Sequence, residues 1–64
     1  MLAKNRLKEF REKKGYTQER LAEMASVSRQ TIISIESNRY VPSLELALRM
    51  AKIFGCKVEQ LFGV

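Results

Sequence analysis

The sequence holds two short helix-forming stretches with almost nothing between them. The first begins at Thr17 and carries a narrow apolar stripe, and the second runs from Ser28 to Ser37. Thr and Ser are favoured at a helix start because their hydroxyl oxygen accepts a backbone N–H that the first turn leaves unpaired. A break of about three residues, including Ser26 and Val27, separates the stretches, and helices joined by so tight a turn cross steeply. The sequence therefore predicts a helix-turn-helix.

Three more helices are predicted around this pair, which makes the fold class all-α with five helices. Helix 1 covers about residues 4–14 and stops before Gly15, helix 4 runs from Ser43 to Gly55, and helix 5 covers residues 58–62. Apolar residues spaced three and four apart should face inward. The predicted core consists of Leu7, Phe10, Leu21, Ala22, Ala25, Ile32, Ile35, Leu44, Ala47, Leu48, Ala51, Phe54, Leu61 and Phe62.

The third helix presents two different faces. At about 100° per residue, Ile32 and Ile35 share one side with Glu36 beside them. The opposite side is polar but barely charged, which is unusual for a face that is merely solvated. It carries Arg29, Gln30, Ile33, Ser34 and Ser37. Arg29 is suited to guanine and Gln30 to adenine, because each side chain can pair with two atoms of that base edge. We expect this helix to contact DNA bases.

Size and composition restrict the function. The chain has 64 residues, which predicts a single domain over residues 1–64 without a separate ligand-sensing domain. Its net charge of +5 suits a polyanionic partner, although many small domains are equally basic. There is no histidine, no aspartate and no glycine-rich phosphate loop, so we expect neither an enzyme nor a cofactor. A single cysteine without histidine also makes a zinc site implausible.

Location and redox state follow from what the sequence contains. No apolar run approaches the roughly 20 residues of a membrane span, and no signal peptide is recognisable. We therefore expect a cytoplasmic protein with no membrane partner. The lone Cys56 cannot form an internal disulfide and is predicted to be a small buried hydrophobe.

Residues 17–55 resemble the Cro- and lambda-repressor-like helix-turn-helix family, often called the xenobiotic-response-element family. The similarity lies in Thr-Gln-x-x-Leu-Ala at 17–22, Val-Ser-Arg-Gln-Thr-Ile at 27–32, Ile-Glu at 35–36 and Pro-Ser-Leu at 42–44. Each motif alone is weak, but together they form a specific signature. The resemblance covers essentially the whole chain and is strongest to the short, stand-alone regulators of the family.

This resemblance implies a compact, lambda-repressor-like DNA-binding domain in which helix 2 is the scaffold and helix 3 the recognition helix. Residues matching the base-contacting positions of the family are Ser28, Arg29, Gln30, Ile33 and Ser34. Residues matching its phosphate-contacting positions are Gln18, Asn38, Arg39 and Tyr40. The alternative for Gln18 is an ordinary exposed glutamine in the first turn of a helix.

The resemblance also implies an ion pair between Arg11 and Glu36. Such a pair would make Glu36 tolerable beside the core, because a buried carboxylate without a partner is costly. The alternative is two exposed charges worth under about 1 kcal/mol.

Four positions depart from the family pattern or admit several interpretations. Ser26 stands where many relatives have glycine, which implies backbone strain if the turn needs a positive φ. Asn38 can take the left-handed conformation that ends helix 3, and Lys57 replaces a usual serine-like cap of helix 5. Ile33 is either an exposed hydrophobe, a contact for a thymine methyl group, or partly buried against helix 2.

The expected function is sequence-specific binding of double-stranded DNA by a transcriptional regulator, and more specifically a repressor. Family members usually bind palindromic operators as homodimers, on half-sites about 34 Å apart. The suggested dimer surface uses exposed apolar residues of helix 4 and the C-terminus, and the alternative is that they complete the core. They are Leu46, Ile53, Leu61 and Val64. The rival function is a protein-interaction module on the same scaffold that docks a toxin or another regulator.

Overall fold

Hydroxyl side chains mark the helix starts that organise the fold. In the computed structural model, which describes residues 5–62, the helices are α1 (Leu7–Lys13), α2 (Gln18–Ala25), α3 (Arg29–Glu36), α4 (Leu44–Phe54) and α5 (Val58–Leu61). The side chains of Thr17, Ser28 and Ser43 each accept a backbone N–H in the first turn of α2, α3 and α4. The described residues contain no strand, and the predicted all-α fold with five helices is confirmed.

Two residues other than glycine adopt the left-handed conformation at the turns around α3. Ser26 ends α2 with φ 59°, and Asn38 follows α3 with φ 61°. The strain expected at Ser26 is therefore present, because a Cβ atom disfavours this region. Asn38 takes the predicted left-handed role, which asparagine tolerates better than most residues.

The start of α5 uses an unusual residue. The Lys57 ammonium has no acceptor atom, so it cannot cap the helix as a hydroxyl would. Instead, the Lys57 backbone N–H donates to Oε1 of Gln60 at 2.8 Å. This is one half of a capping box, and α5 ends at Leu61, one residue earlier than predicted.

One apolar cluster lies between the helices. It contains Leu7, Leu21, Ala22, Ala25, Ile32, Ile35, Leu46, Ala47, Met50, Ala51, Phe54, Leu61 and Phe62. The rings of Phe10 and Tyr16 pack against Phe54, with centroids 5.9 and 6.2 Å from its own. The small residues of α2 allow this helix to pack against both α3 and α4. Together these contacts hold α3 against the rest of the domain.

The inward face of α4 differs from the prediction. Leu44 and Leu48 are 70% and 53% exposed, whereas Leu46 and Met50 are buried. The assignment of Leu44 and Leu48 to the core is therefore wrong. The helix has apolar residues on nearly every side, so the spacing pattern fits more than one face, and packing against α2 selects the face that contains Leu46.

The suggested dimer surface needs the same correction. Leu46 and Leu61 are buried in the core of their own chain, so they cannot contact a partner. Ile53 is half-buried and packs against the core, and Val64 lies outside the described residues. The alternative, that these residues complete the core, is correct for Leu46 and Leu61.

The first helix is shorter than predicted. It begins at Leu7, and Lys4 lies outside the described residues. Leu7 is buried and Phe10 is half-buried, as the spacing indicated. Cys56 is also half-buried against the core, and this burial raises the pKa of its thiol.

No helix within residues 5–62 has the length and apolar character that a bilayer crossing requires. The same residues contain no group of three His, Cys, Asp or Glu side chains that could hold a metal ion.

Candidate nucleic-acid interface

The start of α3 is held by a hydroxyl pair. Oγ of Ser28 accepts the Thr31 backbone N–H at 3.2 Å and lies 3.0 Å from Oγ1 of Thr31. The Ser28 hydroxyl oxygen therefore pairs one of the backbone N–H groups that the first turn of α3 leaves without a partner, and this fixes the start of the helix. Ser28 belongs to the predicted base-contacting set, but most of its hydrogen-bonding capacity is used within the helix.

The next two residues extend into solvent from the first turn of α3. Arg29 and Gln30 are both exposed. Within residues 5–62, the Arg29 guanidinium forms no hydrogen bond and no ion pair. Nε2 of Gln30 lies 3.5 Å from Oγ of Ser34, which is a long and weak contact. Both side chains are therefore available to a ligand at this surface.

Ile33 and Ser34 lie one turn further along the same helix, and both are half-buried. Ile33 is thus neither a core residue nor a fully exposed hydrophobe. A contact with a thymine methyl group stays a prediction for this side chain.

The end of α3 is tied down by several hydrogen bonds. Oγ of Ser37 donates to the Ile33 carbonyl at 2.9 Å, and the Arg39 backbone N–H donates to the Ser34 carbonyl at 2.8 Å. Asn38 accepts at its side-chain oxygen from Nδ2 of Asn5 at 2.8 Å. The amide N–H groups of Asn38 remain as its donors for an outside acceptor.

Two open clefts flank the beginning of α3. The first has a volume of about 520 Å³ and is lined by Arg11, Thr17, Gln18, Glu19 and Arg29. The second has a volume of about 250 Å³ and is lined by Gln30, Thr31, Ser34, Arg39 and Tyr40. The structure therefore brings Gln18 close to Arg29 on one side of α3. It brings Arg39 and Tyr40 together with Gln30 and Ser34 on the other.

A nearly buried ion pair lies beside the first cleft, and its arginine is one of the residues that line the cleft. Nε of Arg11 donates to Oε2 of Glu36 at 2.7 Å, and its Nη2 donates to Oε1 at 3.3 Å. The two side chains are only 11% and 6% exposed. Nη1 of Arg11 also donates to the Tyr16 carbonyl at 2.8 Å. The alternative of two exposed charges is therefore excluded for this pair.

Gln18 is connected to the same ion pair. Its Nε2 donates to Oε1 of Glu36 at 3.1 Å, and the residue is half-buried, so it is not an ordinary exposed glutamine. An amide nitrogen carries two hydrogens, so one of them remains for an acceptor in the cleft. Glu36 thus fixes the orientation of Gln18.

The polar contacts of Asn5 and Arg49 with distant parts of the chain were not predicted from the sequence. Nδ2 of Asn5 donates to the Ile35 carbonyl at 2.7 Å, in addition to its bond with Asn38. Nη1 of Arg49 donates to the Ala25 carbonyl at 2.7 Å and so links α4 to the end of α2. Neither residue belongs to a local motif, so no signal in the sequence identifies these contacts.

The geometry defines a class of protein. Two short helices meet at a tight turn, and the second carries an exposed Arg and Gln on a surface with a cleft on each side, as in helix-turn-helix DNA-binding domains. The model of the helix-turn-helix family matches residues 7–61. The chain therefore belongs to the helix-turn-helix family of Cro- and lambda-repressor-like regulators, as the sequence predicted.

Similar proteins agree with this family. An uncharacterised helix-turn-helix transcriptional regulator of Methanocaldococcus jannaschii is 54% identical over 59 residues, which are 92% of this chain and 89% of that protein. The restriction-modification controller protein C.AhdI of Aeromonas hydrophila has a similar structure, with a TM-score of 0.81 and 32% identity over 89% of this chain and 86% of its own.

A second solved structure is equally similar. The N-terminal DNA-binding domain of SinR from Bacillus subtilis has a TM-score of 0.81 and 32% identity, over 92% of this chain and 87% of its own. Members of this family are DNA-binding transcriptional regulators rather than enzymes. The predictions of class, fold and absence of catalysis are therefore confirmed by family membership.

Proposed function

We propose that this chain regulates transcription by inserting α3 into the major groove of a palindromic DNA operator. The observation that carries the proposal is the exposed Arg29 and Gln30 pair between two clefts at the start of α3. The major groove is wide enough to admit a helix, and it presents a different pattern of donors and acceptors for each base pair. Arg29 and Gln30 are the main base contacts, and Ser28, Ile33 and Ser34 modify the preference.

Phosphate contacts on both sides of α3 fix its register in the groove. In the first cleft, Gln18 offers the amide hydrogen that Glu36 does not use. In the second, Arg39 contributes its charge and Tyr40, which is 44% exposed, its hydroxyl. Asn38 donates from its amide next to them. Contacts of this kind give affinity and orientation, whereas base contacts give sequence preference.

The regulator acts as a repressor and as a homodimer. A protein that occupies an operator can block transcription by occupancy alone, without a surface that recruits polymerase. A palindromic operator presents the same half-site twice, so a two-fold dimer contacts both halves with equivalent helices. The expected cytoplasmic location follows only from this function and stays a prediction.

Selection from a pool of random duplexes at physiological salt, followed by footprinting, tests the proposal. We expect enrichment of one palindromic sequence and protection of two half-sites one helical turn apart. The Arg29→Ala, Gln30→Ala double variant serves as the comparison and should lose the enrichment while keeping its fold. Wild-type protein that enriches no sequence, although it is folded, would contradict base-specific binding.

A further inference from the structure

Asn5, which precedes α1, makes three hydrogen bonds with its side-chain amide. Its Nδ2 donates to the Ile35 carbonyl at 2.7 Å and to Oδ1 of Asn38 at 2.8 Å, so two of the bonds reach the far end of α3. Its Oδ1 accepts the Leu7 backbone N–H at 3.2 Å. Both amide hydrogens and the oxygen of Asn5 are therefore engaged, and the side chain has one fixed orientation.

Backbone groups determine which end of the Asn5 amide faces α3. The Leu7 N–H can only donate and the Ile35 carbonyl can only accept. Turning the Asn5 amide around would place donor against donor and acceptor against acceptor, so its nitrogen must face α3 and Asn38. The N–H of Asn5 needs an acceptor there, and the only acceptor of the Asn38 side chain is its oxygen.

The orientation of the Asn38 amide follows from this bond. Its oxygen points back to Asn5, so its Nδ2 group points away, on an exposed residue next to Arg39. Among residues 5–62, no acceptor bonds the two Nδ2 hydrogens. Phosphate oxygens without a proton only accept hydrogen bonds, so they attract an amide that presents its nitrogen and repel one that presents its oxygen.

We propose that Asn5 is a positioning residue for DNA binding, which holds the Asn38 amide with its two N–H groups outward for a phosphate oxygen. The inference rests on the proposed function, in which Asn38 donates to the DNA backbone. Asn5 acts through Asn38 and not by a contact of its own, because its amide groups are already engaged within the domain. Without Asn5, the Asn38 amide can present either end, since the terminal torsion of asparagine has two broad orientations.

The size of the effect follows from the number of conformations that Asn5 excludes. Two amide orientations, combined with one to three χ1 rotamers, leave a free Asn38 side chain correctly placed in about one half to one sixth of the molecules. Asn5→Ala should therefore weaken DNA binding about two- to sixfold. The amide carries no charge, so the slope of log affinity against log salt should not change.

Fluorescence anisotropy with a duplex of mixed sequence at low salt tests the inference in two backgrounds. Phosphate contacts supply essentially all of such binding, so no operator is needed. The second background is Asn38→Gly, which deletes the amide and accepts the left-handed backbone of φ 61° without strain. Asn5→Ala should lose about two- to sixfold in wild-type protein and nothing further in Asn38→Gly. A merely structural role of Asn5 would give the same loss in both backgrounds, because the bond to Ile35 is lost in both.

Asn5→Asp tests the direction of the amide. An aspartate at this position accepts from Nδ2 of Asn38 and so turns the Asn38 oxygen outward, which is the wrong end for a phosphate. The loss of affinity should exceed that of Asn5→Ala, and this excess should shrink in the Asn38→Gly background to the general effect of the added charge. The control is Gln60→Ala, which removes a side-chain bond to the backbone of α5 and should leave affinity unchanged. Urea titration should show that every variant is folded.

Three results would overturn the inference: Asn5→Ala that binds like wild type, Asn38→Gly that binds like wild type, or equal losses from Asn5→Ala in both backgrounds. The proposed function can fail separately. Protein that shows the background-dependent loss but selects no DNA sequence refutes operator recognition alone. Protein that selects an operator but loses nothing on Asn5→Ala refutes this inference alone, and wild-type protein that binds no duplex refutes both.

Discussion

Two arginines near α3 differ in their surroundings: Arg11 holds helices together, whereas Arg29 is exposed and is proposed to contact DNA. The Arg11 guanidinium is engaged with Glu36 and the Tyr16 carbonyl, whereas Arg29 is exposed at the edge of the first cleft. A substitution at Arg29 therefore changes the proposed DNA-contacting surface without disturbing the core. Binding and folding can be separated at this position by experiment.

Replacing Arg29 by Ala should weaken operator binding by about 1–3 kcal/mol and relax the preference at one base pair, because it removes a two-point contact with guanine. Competition binding against every single-base variant of the operator measures both effects. The free energy of unfolding should change by less than about 0.5 kcal/mol.

Arg39→Ala provides the matched comparison, since it removes the same charge from the second cleft. Here we expect affinity to fall equally for all sequences, and the slope of log affinity against log salt to decrease by about one. If Arg29→Ala weakens binding equally for all sequences, Arg29 contacts a phosphate and not a base. If Arg39→Ala leaves the slope unchanged, Arg39 does not contact a phosphate.

The turn between α2 and α3 contains strain at one residue. Ser26 is exposed and has a left-handed backbone, with φ 59°. Glycine adopts this conformation without steric cost, although it also gains freedom in the unfolded chain. The element that joins the two helices is therefore not optimised for stability.

Replacing Ser26 by Gly should raise the free energy of unfolding by about 0.5–1 kcal/mol, because the cost of a left-handed Cβ exceeds the extra entropy of glycine. Urea titration measures the change. Ser26→Ala retains the Cβ and should give no comparable gain. Equal effects of Gly and Ala would show that the turn is unstrained.

The ion pair joins α1 to the end of α3, and it should behave as one unit. Removing either charge leaves its partner buried, at a cost of about 3–5 kcal/mol, so Arg11→Ala and Glu36→Ala should each be strongly destabilising. The double variant should lose much less than the sum of the two.

A domain of this length has a total stability of roughly 3–10 kcal/mol, so this cycle is best measured in the Ser26→Gly background. Additive losses in urea titration would contradict the coupling between the two side chains. Variants that no longer bind DNA but keep their stability would assign the pair to recognition instead.

The helices show what local sequence can and cannot determine. Thr17, Ser28 and Ser43 act through atoms within three residues, so the starts of α2, α3 and α4 were predictable. The inward face of α4 was not, because Leu44 and Leu46 are equally apolar and only packing distinguishes them.

At the scale of the whole molecule, the contacts that could not be predicted from the sequence are those between distant segments. Asn5 reaches Ile35 and Asn38 across thirty or more positions, and Arg49 reaches Ala25 across 24. An asparagine or arginine side chain could hydrogen-bond to many groups of the chain, and the sequence alone does not indicate which one it bonds. The resemblance to the family predicts such a long-range contact only where the residues match family positions, as at Arg11 and Glu36.

The spacing of the half-sites gives a test of the whole assembly. Two recognition helices on a rigid dimer reach half-sites about 34 Å apart, so an insertion of about five base pairs turns one half-site to the far side of the duplex. We expect the affinity to fall to that of a single half-site, as measured by gel shift. An insertion of about ten base pairs restores the facing but not the distance and should also weaken binding. Equal affinity at all spacings would indicate independent monomers.

The buried pair of Arg11 and Glu36 also determines how the protein responds to salt. Ions screen exposed charges over about 8 Å at physiological strength and about 3 Å at 1 M, but they reach a buried pair far less. The Nε to Oε2 contact of 2.7 Å is shielded by side chains that are 11% and 6% exposed. A concentrated salt wash should therefore strip the chain from immobilised operator while leaving it folded, so that desalted protein rebinds without a refolding step.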